Sequence, residues 1–288
     1  MEFAKVEKVE KLDPLEFYEL YLRPCKPVIF KDLASEWAAV NKWTLEFFKE
    51  RYGHWEVPMY DSSYHNPGKG YMKPVVYKKF GDYLDLIAAG STDLRFHNFQ
   101  IMKRAPELSG DFQIPDIMDG FLRFALMFFG GKGAALNLHY DIDCSHVFLT
   151  HFQTQKKVFL FSPDQGPLLY HLPFTNHAHV NVLNPDFEKY PAFRMAEGLE
   201  AIIEHGETLF IPKLWWHFVY YSESGFSLAL RANDSWATKT RGIWNLVRLF
   251  TMDNGMNLLA GNSWKTFKEQ TAHKRAANYL NQNRRKSA

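Results

Sequence analysis

The chain has 288 residues, 46% of them hydrophobic and 16% aromatic, with a formal net charge of +2 at pH 7. That length buries a full core and favours one domain of about 230 residues with helical ends, while the near-balanced charge argues against nucleic acid as a partner held by whole-protein charge. Two cysteines, Cys25 and Cys144, make no disulfide framework; with no signal-peptide core and no apolar run of about 18 residues, the expected protein is soluble, reduced and cytoplasmic, with no membrane partner.

In chain order, Asp13-Pro14 reads as an N-cap followed by a proline at the first helical position, so LEFYELYL is expected as a short helix stopped by Pro24. PVIFKDL has strand character. TLEFFKERYG is expected as a helix capped by Thr44 and ended by Gly53, and WEVPMY as a strand. FGDYLDLIAAG repeats the helical pattern and DLRFHNFQIM the strand pattern. Residues 1–120 are therefore expected as N-terminal α/β elements packed on a barrel formed by the middle of the chain.

From Phe121 the helical period disappears. RFALMFF, AALNLHYD, SHVFLTHF, KVFLFS, LEAIIEH, ETLFIP, HFVYYS and FSLALR are short apolar or alternating runs separated by Gly, Pro, Ser or Asn. They predict a mainly β fold with flanking α: a double-stranded β-helix (jelly-roll) barrel over 121–235. After Asn233, GIWNLVRLF and WKTFKEQTAHKRAANYL, the second beginning near Asn262, predict a helical segment over 236–288. The apolar positions Trp264, Phe267, Ala272, Ala276 and Tyr279 do not make one even stripe, because the step after Phe267 is too long for one face. The basic end with Arg284, Arg285 and Lys286 reads as a solvated tail.

The stretch NLHYD places His139 and Asp141 two apart, so on an extended segment both point to the same side and Tyr140 points away. With twelve histidines in the chain, an H-x-D arises by chance about half the time, so a second element is needed. It lies in GETLFIPKLWWH, where Gly206 allows a turn, Thr208 to Ile211 read as a strand, and His217 follows Pro212, Trp215 and Trp216. Two histidines and one carboxylate make the facial triad that holds non-haem Fe(II) and leaves three positions open. A closed structural zinc site takes four protein ligands, often cysteines.

Lys156 is on a neighbouring predicted strand. A cation inside a partly apolar cavity needs an anionic partner, and Lys157 then faces outward. The plainer alternative is that both lysines form an exposed turn pair.

The ordered motifs HYD, a lysine before a strand ending F-S-P, NPDFEKYPAF, GETLFIPKLWWH and GFSLALR give the chain, from roughly Pro27 to Asn233, a pattern that resembles the JmjC and cupin-like Fe(II)/2-oxoglutarate-dependent oxygenases, their asparaginyl hydroxylases in particular. The resemblance implies Fe(2+) on His139, Asp141 and His217, with 2-oxoglutarate and O2 as cosubstrates, and Lys156 as the contact for the far carboxylate of 2-oxoglutarate. Departures affect the other contacts. The family's Thr three before the first ligand is Leu136 here, leaving Asn137 as a substitute; its Asn between the triad motif and the lysine has no single counterpart, because this chain carries two more residues there, and Ser145 and His146 are the candidates; its Asn on the last strand is Arg231. Arg231 either offers a fork to a carboxylate or caps the barrel rim.

By the same resemblance, Trp215 and Trp216 pack the ligand strand, and the long segment Asp164 to Gly198 is a substrate-facing wall, with His171, His177 and His179 expected at the surface rather than as metal ligands. The C-terminal helices make either a homodimer, as in the family, or a lid over the barrel. The implied activity is hydroxylation of a side chain of a protein or peptide, with release of succinate and CO2. Alternatives are an N-methyl demethylase, a hydroxylase of a small metabolite, and a cupin-like binding module that has lost catalysis.

Overall fold

The computed structural model describes residues 2–65, 71–96 and 100–287. The first part alternates short strands and helices: β1 (Ala4–Lys5), β2 (Lys8–Val9), α1 (Pro14–Phe17), β3 (Val28–Phe30), α2 (Ala38–Lys42), α3 (Leu45–Tyr52), β4 (Glu56–Met59), β5 (Val76–Lys79), α4 (Phe80–Ala89), β6 (Arg95–Phe96) and α5 (Ile101–Arg104). The carboxylate of Asp13 accepts from the amides of Leu15 and Glu16 and Thr44 Oγ1 from that of Phe47, the side-chain caps the sequence led one to expect. Helix α1 runs on as a π-helical turn, Tyr18–Leu22, before Pro24.

The expected strand DLRFHNFQIM is extended only at Arg95–Phe96. Residues 97–99 lie outside the described residues, and Ile101–Arg104 turn as helix α5, burying Ile101 while Lys103 and Arg104 stay exposed. Strand β5, which the pattern reading did not separate, is the hairpin partner of β4.

Eight further strands match the eight expected runs: β7 (Phe121–Gly130), β8 (Ala135–His139), β9 (His146–Phe152), β10 (Lys156–Phe161), β11 (Gly198–Ile203), β12 (Thr208–Ile211), β13 (Trp216–Tyr220) and β14 (Gly225–Ala232). They form two sheets in the orders β1-β11-β10-β13-β8 and β2-β3-β12-β9-β14-β7-β6. Except for β10 and β11, which pair within one sheet, successive strands alternate between the two sheets, as in a double-stranded β-helix. The N-terminal strands extend both sheets, β1 beside β11, β3 beside β12 and β6 beside β7.

These strands read as continuous apolar runs because both faces are covered. Inward positions are aliphatic, with Val147, Leu149, Val158, Leu160, Leu209 and Ile211 packed between the sheets. Outward positions are rings. Phe148, Phe152, Phe210 and Phe226 meet Phe17, Trp43 and Phe48 of the N-terminal helices, and Phe159, Phe161 and Phe218 meet the 164–198 segment. The high aromatic content is thus a core property, each buried ring contributing about 1.5–3 kcal/mol.

The chain ends in α6 (Trp236–Val247), a π-helical turn (Arg248–Asp253) and α7 (Asn254–Ser287). Gly261, at φ +47 and ψ −116, breaks α7, so its long straight part begins at Asn262 as expected. The gap in its apolar stripe is filled by a lysine. Lys268, 3% exposed, lies one helical step from Trp264 and from buried Ala272 and pairs with the fully buried Asp253 at 2.6 Å. No helix among the described residues is long and apolar enough to cross a membrane.

Candidate metal centre

Strands β8 and β13 are antiparallel neighbours, and their register sets His139 directly opposite His217. The two rings lie 4.2 Å apart, centroid to centroid. Both side chains point inward by the strand period, His217 on the same face as Val219. Asp141 lies two residues past the end of β8. One donor atom from each of His139, Asp141 and His217 lies within 4.8 Å of the others, as a metal would require.

The local backbone selects the imidazole tautomers. Nδ1 of His139 is 2.7 Å from the Asn137 carbonyl and Nδ1 of His217 is 3.1 Å from the Trp215 carbonyl. A carbonyl only accepts, so both Nδ1 atoms carry the proton, leaving each Nε2 lone pair for a metal. Burial, with the neighbouring His217 adding to it, pushes His139 down to about 3, and burial also lowers His217. Both rings are therefore neutral at pH 7, as ligands must be. Burial alone would raise Asp141, but Arg231, His217 and His139 outweigh it and hold the carboxyl at about 2.

The centre opens into a cavity of about 450 Å³ whose lining includes the triad together with Asn137, Lys156 and Arg231. Lys156 occupies an inward position of β10 and is 1% exposed, whereas Lys157 faces out toward Glu200. The Lys156 ammonium donates to Ser227 Oγ and lies 4.1 Å from the Tyr221 ring centroid. No carboxylate pairs with it among the described residues, and burial lowers it well below the usual lysine value. The exposed turn pair is not what the fold contains.

Arg231 spends its fork within the protein: Nη2 donates to Asp141 at 2.6 Å, and Nη1 to Asp143 at 2.9 Å and to Ser145 Oγ at 3.1 Å. Ser145 is buried behind this pair and also donates to Asp143. His146 turns to the opposite face of β9, stacked on Phe210 and 3.3 Å from Asp234. The Asn137 side chain borders the cavity while its carbonyl orients His139.

The 164–198 segment lies beside the ligands and is more buried than expected. Residues 176–178 run antiparallel to the end of β8: Ala178 N–H donates to the Leu138 carbonyl, Tyr140 N–H to that of Asn176, and His177 sits across from His139. His177 is 2% exposed, and His171 and His179 are half-buried, against Trp216 and Glu269 respectively. None is a surface residue, because α7 closes over the segment, with His273 against Tyr170 and Tyr190. Trp216 is buried against Tyr140, as its packing role requires.

Sequence reasoning missed Arg95, Asn176, Tyr221 and the α6 side of the cavity, where Leu246, Leu249 and Phe250 close the lining. Helix α6 reaches the metal loop directly. A Cβ on Gly242 would lie 2.2 Å from the Asp143 carbonyl oxygen, and Asn245 Nδ2 donates to Cys144 Sγ at 3.2 Å. The apolar periodicity of GIWNLVRLF was the only available signal.

Residues 14–235 match the family described as Cupin-like domain. The chain belongs to that family. It is 31% identical over 225 residues to tRNA wybutosine-synthesizing protein 5 of Gallus gallus, covering 70% of this chain and 69% of that one. It is 29% identical over 226 residues to Lysine-specific demethylase 8 of Xenopus tropicalis, 74% of this chain and 49% of the relative, and 28% identical over 243 residues to JmjC domain-containing protein D of Dictyostelium discoideum, 74% and 53%. The matched region thus spans about half the length of the latter two. Members of the JmjC cupin family are Fe(II)/2-oxoglutarate oxygenases, and the His139, Asp141 and His217 donor set of this cupin-like chain fits such a metal.

Proposed function

We propose that the chain is an Fe(II)- and 2-oxoglutarate-dependent hydroxylase acting on a side chain of a protein or peptide. One observation carries the reading: a two-histidine, one-carboxylate centre and a buried ammonium without a counter-ion among the described residues border the same cavity. Fe(II), with 2-oxoglutarate and O2, supplies the oxidising power to insert an oxygen atom into a C–H bond, releasing succinate and CO2. The residues present do the rest. Nε2 of His139, Nε2 of His217 and one oxygen of Asp141 offer a three-donor face, and the backbone carbonyls behind the imidazoles fix their aim. The ammonium of Lys156 holds the far carboxylate of the cosubstrate and so sets its direction. Leu136, Val147, Leu149, Ile211 and Val219 keep the cavity wall dry.

The test is an anaerobic titration with Fe(II) and 2-oxoglutarate, following the visible charge-transfer band of the chelate. The expected result is a band in the wild type that is lost in His139→Ala and weakened in Lys156→Ala. A folded, iron-loaded wild type without the band would move the assignment to a binding module.

A second reading, a tRNA nucleoside as substrate, has its own support. The relative from Gallus gallus is named for tRNA wybutosine synthesis. In this chain Arg241, Arg248 and Arg275 converge around Tyr140 and His171, with no ion-pair partner for any of them among the described residues. Arg241 and Arg275 line a pocket of about 230 Å³ with no acidic side chain in its wall among the described residues. Succinate release stimulated by peptides or by tRNA separates the two substrates.

The proposal includes a homodimer through the C-terminal helices. Helix α6 contributes Leu246 to the cavity lining and leaves Trp236, Ile243 and Trp244 exposed, and α7 leaves Leu258 and Leu259 exposed. Apolar surface of that kind marks an association site.

A further inference from the structure

Arg95 belongs to none of the motifs that identify the family, yet it is one of the most buried charges in the molecule. It is 4% exposed on the two-residue strand β6. Its backbone is held from both sides, by the two hydrogen bonds it exchanges with Tyr60 and by its place opposite Gly130 of β7. The side chain lines the same cavity as the metal ligands and Lys156. Its Nη2 donates to the Asp61 carbonyl, while its Nε is buried with no hydrogen-bond partner among the described residues.

The nearby acids do not neutralise it. Asp61 accepts from the amide and hydroxyl of Ser63, Asp93 from the amide of Ser62, and neither forms an ion pair with Arg95. Both carboxylates act on it only at a distance. Arg95 and Lys156 share a neighbour in Tyr221: the ammonium lies over its ring, and the guanidinium is the charge that opposes the effect of burial on its hydroxyl. The ring reaches that place because residue 130 is glycine; a Cβ there would lie 2.6 Å from it.

The two ends of the cavity therefore differ in charge. At the metal end Arg231 is matched by Asp141 and Asp143. At the Tyr221 end two buried cations, each with unused donors, have no anion between them among the described residues. Buried cations of this kind are retained where a ligand supplies the opposite charge. We propose that Arg95 is a second cationic contact, beside Lys156, for the distal carboxylate of the cosubstrate, and that the pair makes the cavity selective for a dicarboxylate over a 2-oxo monoacid. The proposal rests on the oxygenase reading and goes beyond it in assigning a residue and a selectivity.

The experiment compares wild type, Arg95→Met and Arg95→Lys in the Fe(II)-loaded protein, by calorimetric titration with 2-oxoglutarate and with 2-oxobutyrate, which lacks the distal carboxylate. Arg95→Met is expected to bind 2-oxoglutarate about tenfold to hundredfold more weakly, the cost of a charged hydrogen bond, with 2-oxobutyrate affinity unchanged. Arg95→Lys should recover most of the loss. Equal 2-oxoglutarate affinity in wild type and Arg95→Met, or an equal loss for both ligands, would overturn the proposal. Heat of binding does not depend on the chelate band, so the two failures are distinguishable: Arg95-dependent dicarboxylate binding without the band would overturn the oxygenase reading, and the band with Arg95-independent binding would overturn only the role of Arg95.

Discussion

Asp141 divides its two carboxylate oxygens between Arg231 and the metal centre. Oδ1 accepts from Arg231 Nη2 at 2.6 Å, while Oδ2 faces His217 Nε2 at 3.9 Å. An oxygen committed to a guanidinium leaves its partner as a single, fixed donor, and the same guanidinium lowers the cost of keeping Asp141 ionised inside the fold.

Replacing Arg231 by Met removes that compensation from Asp141 and Asp143 together. Taking one partner from a buried ion pair costs about 3–5 kcal/mol, so the metal-free variant should unfold at clearly lower temperature. A divalent cation supplies positive charge in the same place and should restore more stability to Arg231→Met than it adds to the wild type. Thermal unfolding of both proteins with and without Fe(II) or Mn(II) measures this; equal metal-induced shifts would show that Arg231 does not balance the centre.

Strand periodicity and turn residues report local geometry, and that much of the fold was legible in the sequence: all eight runs after Phe121 became strands, and Lys156 and Lys157 took opposite faces. The two parts of the triad, in NLHYD and GETLFIPKLWWH, came together because those segments became β-paired neighbours. Long-range pairing of polar groups leaves no local trace. Lys268 looked like an interruption of an apolar stripe because its partner, Asp253, lies outside the segment that was read as the helix. His177 looked like a surface residue until α7 covered its segment, and Arg95 was simply one position of an alternating run.

The buried imidazoles set a pH limit on stability. His139 is held down to about 3 and His171 to about 4, and His146, His151 and His217 are also lowered, burial leading in every case. Their folded values lie below the unfolded value near 6.5. For His139 and His171 the unfolded chain binds a proton between about 6.5 and 4 that the folded chain does not, so stability falls as pH falls, by about 1.4 kcal/mol per pH unit for each of the two, and the other three act in the same direction. Asp141, held at about 2, contributes in a lower window, losing its stabilisation only as pH drops from the unfolded carboxylate range toward 2. Urea unfolding of the metal-free protein from pH 7.5 to 4.5 should show a steep decline beginning near 6.5; a flat profile would contradict the buried neutral rings.

Gly242 lets α6 lie on the loop that carries Asp141. Its replacement by Ala puts a Cβ against the Asp143 carbonyl oxygen, at 2.2 Å before any shift. Helix and loop must separate, at about 1–3 kcal/mol for an overpacked contact. Because that loop holds a ligand, metal affinity should fall as well. Ala at Gly255, where nothing lies within 4 Å, is the control and should leave metal binding unchanged in the same titration.

Asp253 is a hub, accepting from Lys268 at 2.6 Å, from Trp264 Nε1 at 2.8 Å, from Asn257 Nδ2 at 3.0 Å and from the Tyr71 hydroxyl. Burial alone would lower Lys268 further, and the carboxylate opposes it. Lys268→Met leaves a charge buried among neutral donors and should cost about 3–5 kcal/mol. The double variant Asp253→Asn with Lys268→Met removes both charges and should be more stable than Lys268→Met alone. Denaturant midpoints of the two variants give the comparison, and a double variant no better than the single would mean the ion pair is not what holds the α7 junction.

The exposed apolar face of the C-terminal helices can be tested without touching the site. Trp244 is 64% exposed and Leu259 83% exposed, and neither lines the cavity. If this face joins two copies, the wild type should sediment at twice 33.7 kDa, and Leu259→Glu or Trp244→Glu should shift it toward the single-chain mass by placing a charge in an apolar interface. Unfolding midpoints of the wild type should rise with protein concentration, and those of the two variants should not. A wild type that sediments as one chain at micromolar concentration would rule the dimer out.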